Sequence, residues 1–225
     1  MVKKRSRVVF LLIIVLFTIL ILAVIIFANL GTQSAQMVSG VTEGDVFTYD
    51  VKGLWKSNDP NATISDSLLQ LNMTEWCRVT ITNVSDPQIS LHTVWQFKNG
   101  TEIEANGKMD IETGISSGGF WAIYAANLRA NDRTRPLGID QSTVNETITR
   151  DYGAGGTRET NRLLLTAQFY NINDPTRMYI DYRTIQFDKQ TGILVELRNE
   201  EAYNNPEMTE IILWKLTDSN VWTVT

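Results

Sequence analysis

One pattern gives way to another near residue 31. From Val8 to Ala28 the chain is apolar on every side, with Thr18 its only polar interruption. At about 1.5 Å rise per residue, this run matches the thickness of a bilayer's hydrocarbon layer and reads as a membrane span. Residues 31–42, opening "GTQSAQMVSG", are small and polar without periodicity and read as a tether. From residue 43 onward the period is two. Phe47, Tyr49 and Val51 fall on one face of a strand, as do Cys77, Val79 and Ile81, and Leu91, Thr93, Trp95 and Phe97. Leu163, Leu165, Ala167 and Phe169 do the same, as do Met178, Ile180 and Tyr182, so each strand is expected to bury one face. "EIILWKL" near the C-terminus is apolar on both faces, which predicts a central strand covered on both sides.

Helical spacing is convincing at one place. In "SGGFWAIYAANLRAN", Phe120, Ile123, Tyr124 and Leu128 recur at helical intervals, and Ser117 is placed to cap the start. The expected fold class is therefore mainly β (α+β): one large antiparallel curved sheet, or half-barrel, with a single packed helix around residues 118–130. The expected organisation is a basic stub and transmembrane signal-anchor in residues 1–30, with the span at 8–28. The tether follows at 31–42 and one β-rich domain at 43–225, with no linker-like interruption inside it.

Charge sets the orientation. Lys3, Lys4, Arg5 and Arg7 precede the span and Glu43 is the first charge after it, so the N-terminus is expected in the cytoplasm and the domain outside. A cleaved signal peptide would share that orientation, but its apolar region normally runs to about 7–15 residues and ends at a small-x-small site. The outer part keeps sixteen basic against twenty-five acidic residues, a net −9, which disfavours nucleic acid and anionic lipid headgroups as partners. The single cysteine, Cys77, lies on an apolar strand face and reads as a buried small hydrophobe, since a stapled domain would show an even count.

Little of the remaining chemistry survives inspection. "GISSG" at Gly114 to Gly118 fits the nucleophile elbow G-x-S-x-G, which would make Ser116 a nucleophile. The general base is missing: His92, the only histidine, lies upstream on the polar face of its strand, whereas the elbow needs a later one. One imidazole without a second His or Cys nearby does not assemble a transition-metal site, and neither "NINDPT" nor "GAGG" has the spacing of a calcium or phosphate loop. No metal, cofactor or catalytic set is expected. Five N-x-S/T sequons, at Asn61, Asn72, Asn83, Asn99 and Asn145, mark candidate glycosylation sites on an extracellular surface. Asn99 has a second reading, because "KNGT" between two strand-like runs is also a hairpin signal. The string D-x-x-T-G-I occurs twice, at Asp110–Ile115 and Asp188–Ile193. In both, the Asp side chain can bond the backbone ahead of it, while Gly114 or Gly192 supplies the left-handed conformation. The second copy is expected to turn back as a hairpin and the first to feed the helix.

The blocks "EGDVFTYDVKGLW", "FKNGTE", "DIETG", "AANLRAND", "RETNRL", "FDKQTGILVE" and "SNVWTV" resemble recurring blocks of uncharacterised, membrane-anchored surface proteins of archaea. The resemblance covers nearly the whole outer part and implies a surface location, without implying an activity. Many such proteins carry their anchor after the "SNVW" block, and this chain departs from them with its apolar run at the start. At the level of architecture the pattern is also similar to the half-barrels of lipoprotein-carrier proteins, an analogy of fold alone. The sequence thus discloses a place and a build but no activity. Three functions are compatible with it: a non-enzymatic surface module that binds a partner protein or an apolar ligand, a structural component of the cell envelope, and an extracellular hydrolase.

Overall fold

A computed structural model describes residues 37–139, 142–171 and 174–224. The expected span at Val8–Ala28 and its flanking Lys3, Lys4, Arg5 and Arg7 lie outside the described residues. Among those described, no helix is long and apolar enough to cross a membrane. Met37–Thr225 forms one compact unit, distinct from Met1–Gln36, and the description below concerns it alone.

Nine strands make one antiparallel sheet: β1 (Val46–Ser57), β2 (Thr74–Ser85), β3 (Gln88–Phe97), β4 (Glu102–Asp110), β5 (Glu146–Asp151), β6 (Thr157–Asn171), β7 (Asp174–Asp188), β8 (Leu194–Asn204) and β9 (Glu207–Ser219). Their order is β4-β3-β2-β1-β9-β8-β7-β6-β5, so the chain meanders out from the middle to one edge, crosses to the other edge, and meanders back. Between the two edge strands, residues 111–139 and 142–145 run as a strap over one face of the sheet, here called the inner face. Phe47, Tyr49, Cys77, Val79, Ile81, Ile89, Leu91, Met109, Leu163, Ile185 and Phe187 point into this face and are buried, together with Phe120, Ala122, Ile123, Tyr124 and Leu128 of the strap.

The expected helix at 118–130 is replaced by this extended strap. Gly118 and Gly119 have φ of +75° and +83°, outside helical space. Backbone groups that a helix would pair internally are used by other elements: Tyr124 N–H donates to Gly192 O at 2.9 Å, Leu194 N–H to Ala122 O at 3.1 Å, and Ala126 N–H to Val38 O at 2.9 Å. Every residue from Phe120 to Ala125 is buried except Trp121, so the apolar density that mimics a helical stripe serves a segment buried almost all round. Among the described residues the one α-helix is α1 (Asp66–Met73), whose Ser65 side chain caps Leu68 N–H. Leu68 is buried where β1 carries Gly53, and the Asn72 amide bonds both Gly53 N–H and Gly53 O at 2.9 Å.

Three further expectations shift. β9 is central, between β1 and β8, but Ile211 and Leu213 on its outer face are only half-buried, because among the described residues no second layer covers them. On β7 the core side is Asp181, Ile185 and Phe187, the opposite parity to Met178, Ile180 and Tyr182. Residues 37–42, expected in the tether, are packed on the domain: Val41 is buried, and a Cβ on Gly40 would come within 1.9 Å of Gln190 O.

Both D-x-x-T-G-I copies fold into the same turn. Asp110 N–H donates to Ile115 O at 2.9 Å and Gly114 N–H to Asp110 O at 2.9 Å. In the second copy Asp188 N–H donates to Ile193 O at 2.9 Å and Gly192 N–H to Asp188 O at 2.7 Å. The two glycines have φ of +78° and +77°. The first copy therefore turns back as well, pairing Met109 with Ser116, before the chain leaves as the strap.

Cys77 is fully buried, and burial pushes its thiol from an ordinary 9.0 up to about 12. At pH 8 its thiolate fraction is then ~10⁻⁴, so iodoacetamide is expected to leave the folded protein unlabelled and to add one label in 6 M guanidinium. Stoichiometric labelling of the folded protein at pH 8 would contradict the placement.

Candidate functional site

Where the strap leaves the sheet uncovered, a cleft of about 610 Å³ opens between four pieces of chain. The first turn supplies Thr113, Gly114, Ile115 and Ser116; the strap supplies Trp121 and Tyr124; β6 and β7 supply Leu165, Arg183 and Ile185. The fourth piece is a small hairpin within the strap, closed by the Arg133–Thr143 bridge and by Val144 N–H donating to Asp132 O at 2.9 Å. It contributes Arg135, Leu137, Gly138 and Ile139.

Arg135 fastens three of these walls together. It is buried, with 4% of its surface exposed, yet its charge is met: Nη1 donates to Ile111 O at 3.0 Å, Nη2 donates to Trp121 O at 3.3 Å, and the guanidinium lies 4.3 Å over the Tyr124 ring. Tyr124 in turn stacks on Phe187 at 4.3 Å. Close approach is needed here too, since a Cβ on Gly138 would meet Thr113 O at 2.5 Å.

The rim is strongly apolar. Ile115 is 73% exposed, Leu137 66%, Ile139 102% and Trp121 37%. Large apolar side chains concentrated around one opening are what an interaction site looks like, whereas scattered ones are ordinary. The apolar lining also continues beyond the cleft: Trp121 borders Leu197 and Trp214, and Trp214 meets Trp95 edge-on at 5.3 Å. Trp95 belongs to a second groove of about 420 Å³ with Leu71, Phe97 and Ile103, beside α1.

Deeper along β7 the inner face turns polar. The register sets Asp181, Glu201 and Glu210 side by side on β7, β8 and β9, one inward position beyond Arg183, Asn199 and Ile212. Arg183 Nε donates to Asp181 Oδ1 at 3.1 Å and to Asn199 Oδ1 at 3.2 Å, and its Nη2 bonds Asp181 Oδ2. The Tyr203 hydroxyl donates to Glu201, and burial, then that bond, raise its pKa well above the ordinary phenol value. An aromatic ladder of Phe169, Tyr179 and Tyr203 closes this end, with ring centroids 4.9 and 5.0 Å apart.

The residues singled out from sequence are spread widely. Ser116 and Gly114 stand in the cleft wall, and the Ser116 hydroxyl has no hydrogen-bond partner among the described residues. His92 faces the other side of the sheet, with Nδ1 3.0 Å from Asn106 Oδ1 and Nε2 3.5 Å from Glu104, so the two are not brought together. Asp188 and Gly192 lie in the β7–β8 turn, which binds the strap without lining the cleft. Among the sequons, Asn61, Asn83, Asn99 and Asn145 are exposed; Asn99 Oδ1 also accepts from Thr101 in the β3–β4 hairpin, and Asn145 Oδ1 from Leu164 N–H. Asn72 is half-buried and committed to Gly53. Sequence reasoning missed Arg135, Leu137, Ile139 and Arg183. The available signal was the apolar pair in "RPLGID", bare of any period that would bury it.

No protein-family model matches this chain, and no curated protein is significantly similar to it.

Proposed function

We propose that this is a membrane-anchored, extracytoplasmic binding protein. In this reading Lys3, Lys4, Arg5 and Arg7 stay in the cytoplasm, Val8–Ala28 anchors the chain, and the strap-covered sheet works as a half-barrel that holds an apolar ligand outside the cell. The observation that carries it is the cleft of about 610 Å³ with its exposed rim of Ile115, Trp121, Leu137 and Ile139. That volume falls within the roughly 300–1,000 Å³ of small-molecule sites, and the site is concave, mostly apolar and furnished with few polar groups. The resemblance to membrane-anchored surface proteins of archaea supports a place at the cell surface. Glycans on Asn61, Asn83, Asn99 and Asn145 belong to the same reading, whereas a glycan on the Asn72 amide would displace its bonds to Gly53.

Mass spectrometry of natively produced protein tests both parts. The expected result is an apolar compound released in near-stoichiometric amount on denaturation, together with glycan mass that maps away from Asn72. Protein that carries no such compound and takes up no apolar fluorescent probe defeats the binding reading, and an unmodified peptide mass removes the glycans.

A further inference from the structure

The charges in the cleft wall define the ligand further, and this step rests on the binding reading above. The outer part of the chain is acidic, yet the groups lining the cleft include Arg135 and Arg183 and no carboxylate. Arg135 spends its donors on backbone carbonyls and on the Tyr124 ring, which makes it a brace. Arg183 is held differently. Its Nε is engaged by Asp181, itself buried, and by Asn199, and its Nη2 by Asp181, while Nη1 makes no hydrogen bond among the described residues. A guanidinium is planar with five donors, so a carboxylate that pins one edge leaves another edge fixed in direction and free to bond. The neighbours on its own inward row are Leu165 on one side and Asn199 and Ile212 on the other, and Ile185 is the next inward residue on β7.

We infer that the cleft takes an anionic amphiphile, an alkyl chain bearing a carboxylate or phosphate head, with the chain against Trp121, Leu165 and Ile185 and the head on the free edge of Arg183. Arg183 suits such a head because charge-assisted, fork-shaped bonding is stronger than neutral bonding and fixes direction as well. The row beyond it sharpens the placement. Asp181, Glu201 and Glu210 repel an anion, so the head stops at Arg183 and the chain lies toward the strap and its apolar rim. A cationic amphiphile would invert this, passing Arg183 to reach the acidic row.

Calorimetric titration below the micellar concentration tests the inference, using both residues 37–225 and the full chain in zwitterionic nanodiscs. The probes share one tail: dodecanoate, dodecyl phosphate, dodecanol and dodecyltrimethylammonium. At least one of the two anions is expected to bind about tenfold more tightly than dodecanol, and the stronger of the two identifies whether the head is a fatty acid's or a phosphate's. Arg183→Gln alone leaves Asp181 buried and unpaired, so the informative variant is the pair Asp181→Asn/Arg183→Gln, which removes both charges together. It is expected to lose the preference for the anions over dodecanol, the ratio of the two affinities within the variant being the readout. Equal binding of anion and alcohol by the native protein, a preference for the cation, or a preference that survives the double substitution overturns the inference while leaving an apolar site in place. Failure of all four probes to bind overturns the apolar site as well.

Discussion

Replacing Asp188 with alanine is expected to cost about 3 kcal/mol of folding stability, the lower end of the range for removing one partner of a buried ion pair. The Asp188 carboxylate is fully buried at the base of the β7–β8 turn. Its Oδ2 accepts from Arg158 Nε at 2.7 Å; its Oδ1 accepts from Arg158 Nη2 at 3.0 Å, from Thr191 N–H at 2.8 Å and from the Thr191 hydroxyl at 2.9 Å. The hydrogen bond to Asp188 raises the Arg158 pKa above its ordinary value, and the guanidinium lies 4.3 Å over the Trp222 ring. Without the carboxylate, a guanidinium only 18% exposed loses its counter-charge and the turn loses its two bonds to Thr191. That residual exposure is why the lower end applies. Asp110→Ala, at the same place in the first copy, removes bonds to Glu112 N–H and Thr113 N–H from a half-buried carboxylate. It is expected to cost about 1 kcal/mol. Urea unfolding of residues 37–225 measures both, and equal costs would show that burial and Arg158 add nothing at Asp188.

The contrast between these two turns shows what the sequence carries and what it does not. The alternation at Phe47, Tyr49 and Val51, and at Cys77, Val79 and Ile81, is legible because those strands have one face under the strap and one toward solvent, which a period of two records directly. The same rule misreads β7. Past the reach of the strap its inward positions are Asp181 and Arg183, so the apolar residues Met178, Ile180 and Tyr182 trace the wrong face. The strap resembles a helix because Phe120, Ile123, Tyr124 and Leu128 sit at helical intervals, but its backbone is paired to residues about 70 positions away, around Gly192. α1 escapes notice because it is two turns long and buries one side chain, Leu68. The cleft is the least legible part. Its walls come from the 113–116 turn, the strap, a hairpin near 137 and strands near 165 and 183, and no local pattern joins them. The turn motif was visible twice, yet only its first copy faces the cleft.

Gly192→Ala is expected to be at least as costly as the loss of Asp188, at about 3 kcal/mol or more, because two penalties add. At φ of +77° an L-residue pays about 1–2 kcal/mol for the left-handed conformation. The new methyl would also stand 1.9 Å from Tyr124 O and 2.8 Å from Tyr124 C, backbone atoms that cannot rotate away. Gly114 separates the two penalties. Its φ is nearly the same, but a methyl there would meet Arg135 Cδ and Nε at 3.3 Å, a contact that a displacement of a few tenths of an ångström relieves. Gly114→Ala is therefore expected to cost little more than the conformational strain alone, about 1–2 kcal/mol. The readouts should diverge as well. Displacing Tyr124 breaks its N–H bond to Gly192 O and its stacking on Phe187, so Gly192→Ala should open the strap and speed amide exchange at Tyr124. Because Tyr124 is a wall of the cleft and the platform under Arg135, the same substitution should weaken uptake of an apolar probe at a distance, although Gly192 does not line the cleft. Equal destabilisation by the two glycine substitutions, or unchanged Tyr124 exchange in Gly192→Ala, would show that the strap is not held by this turn.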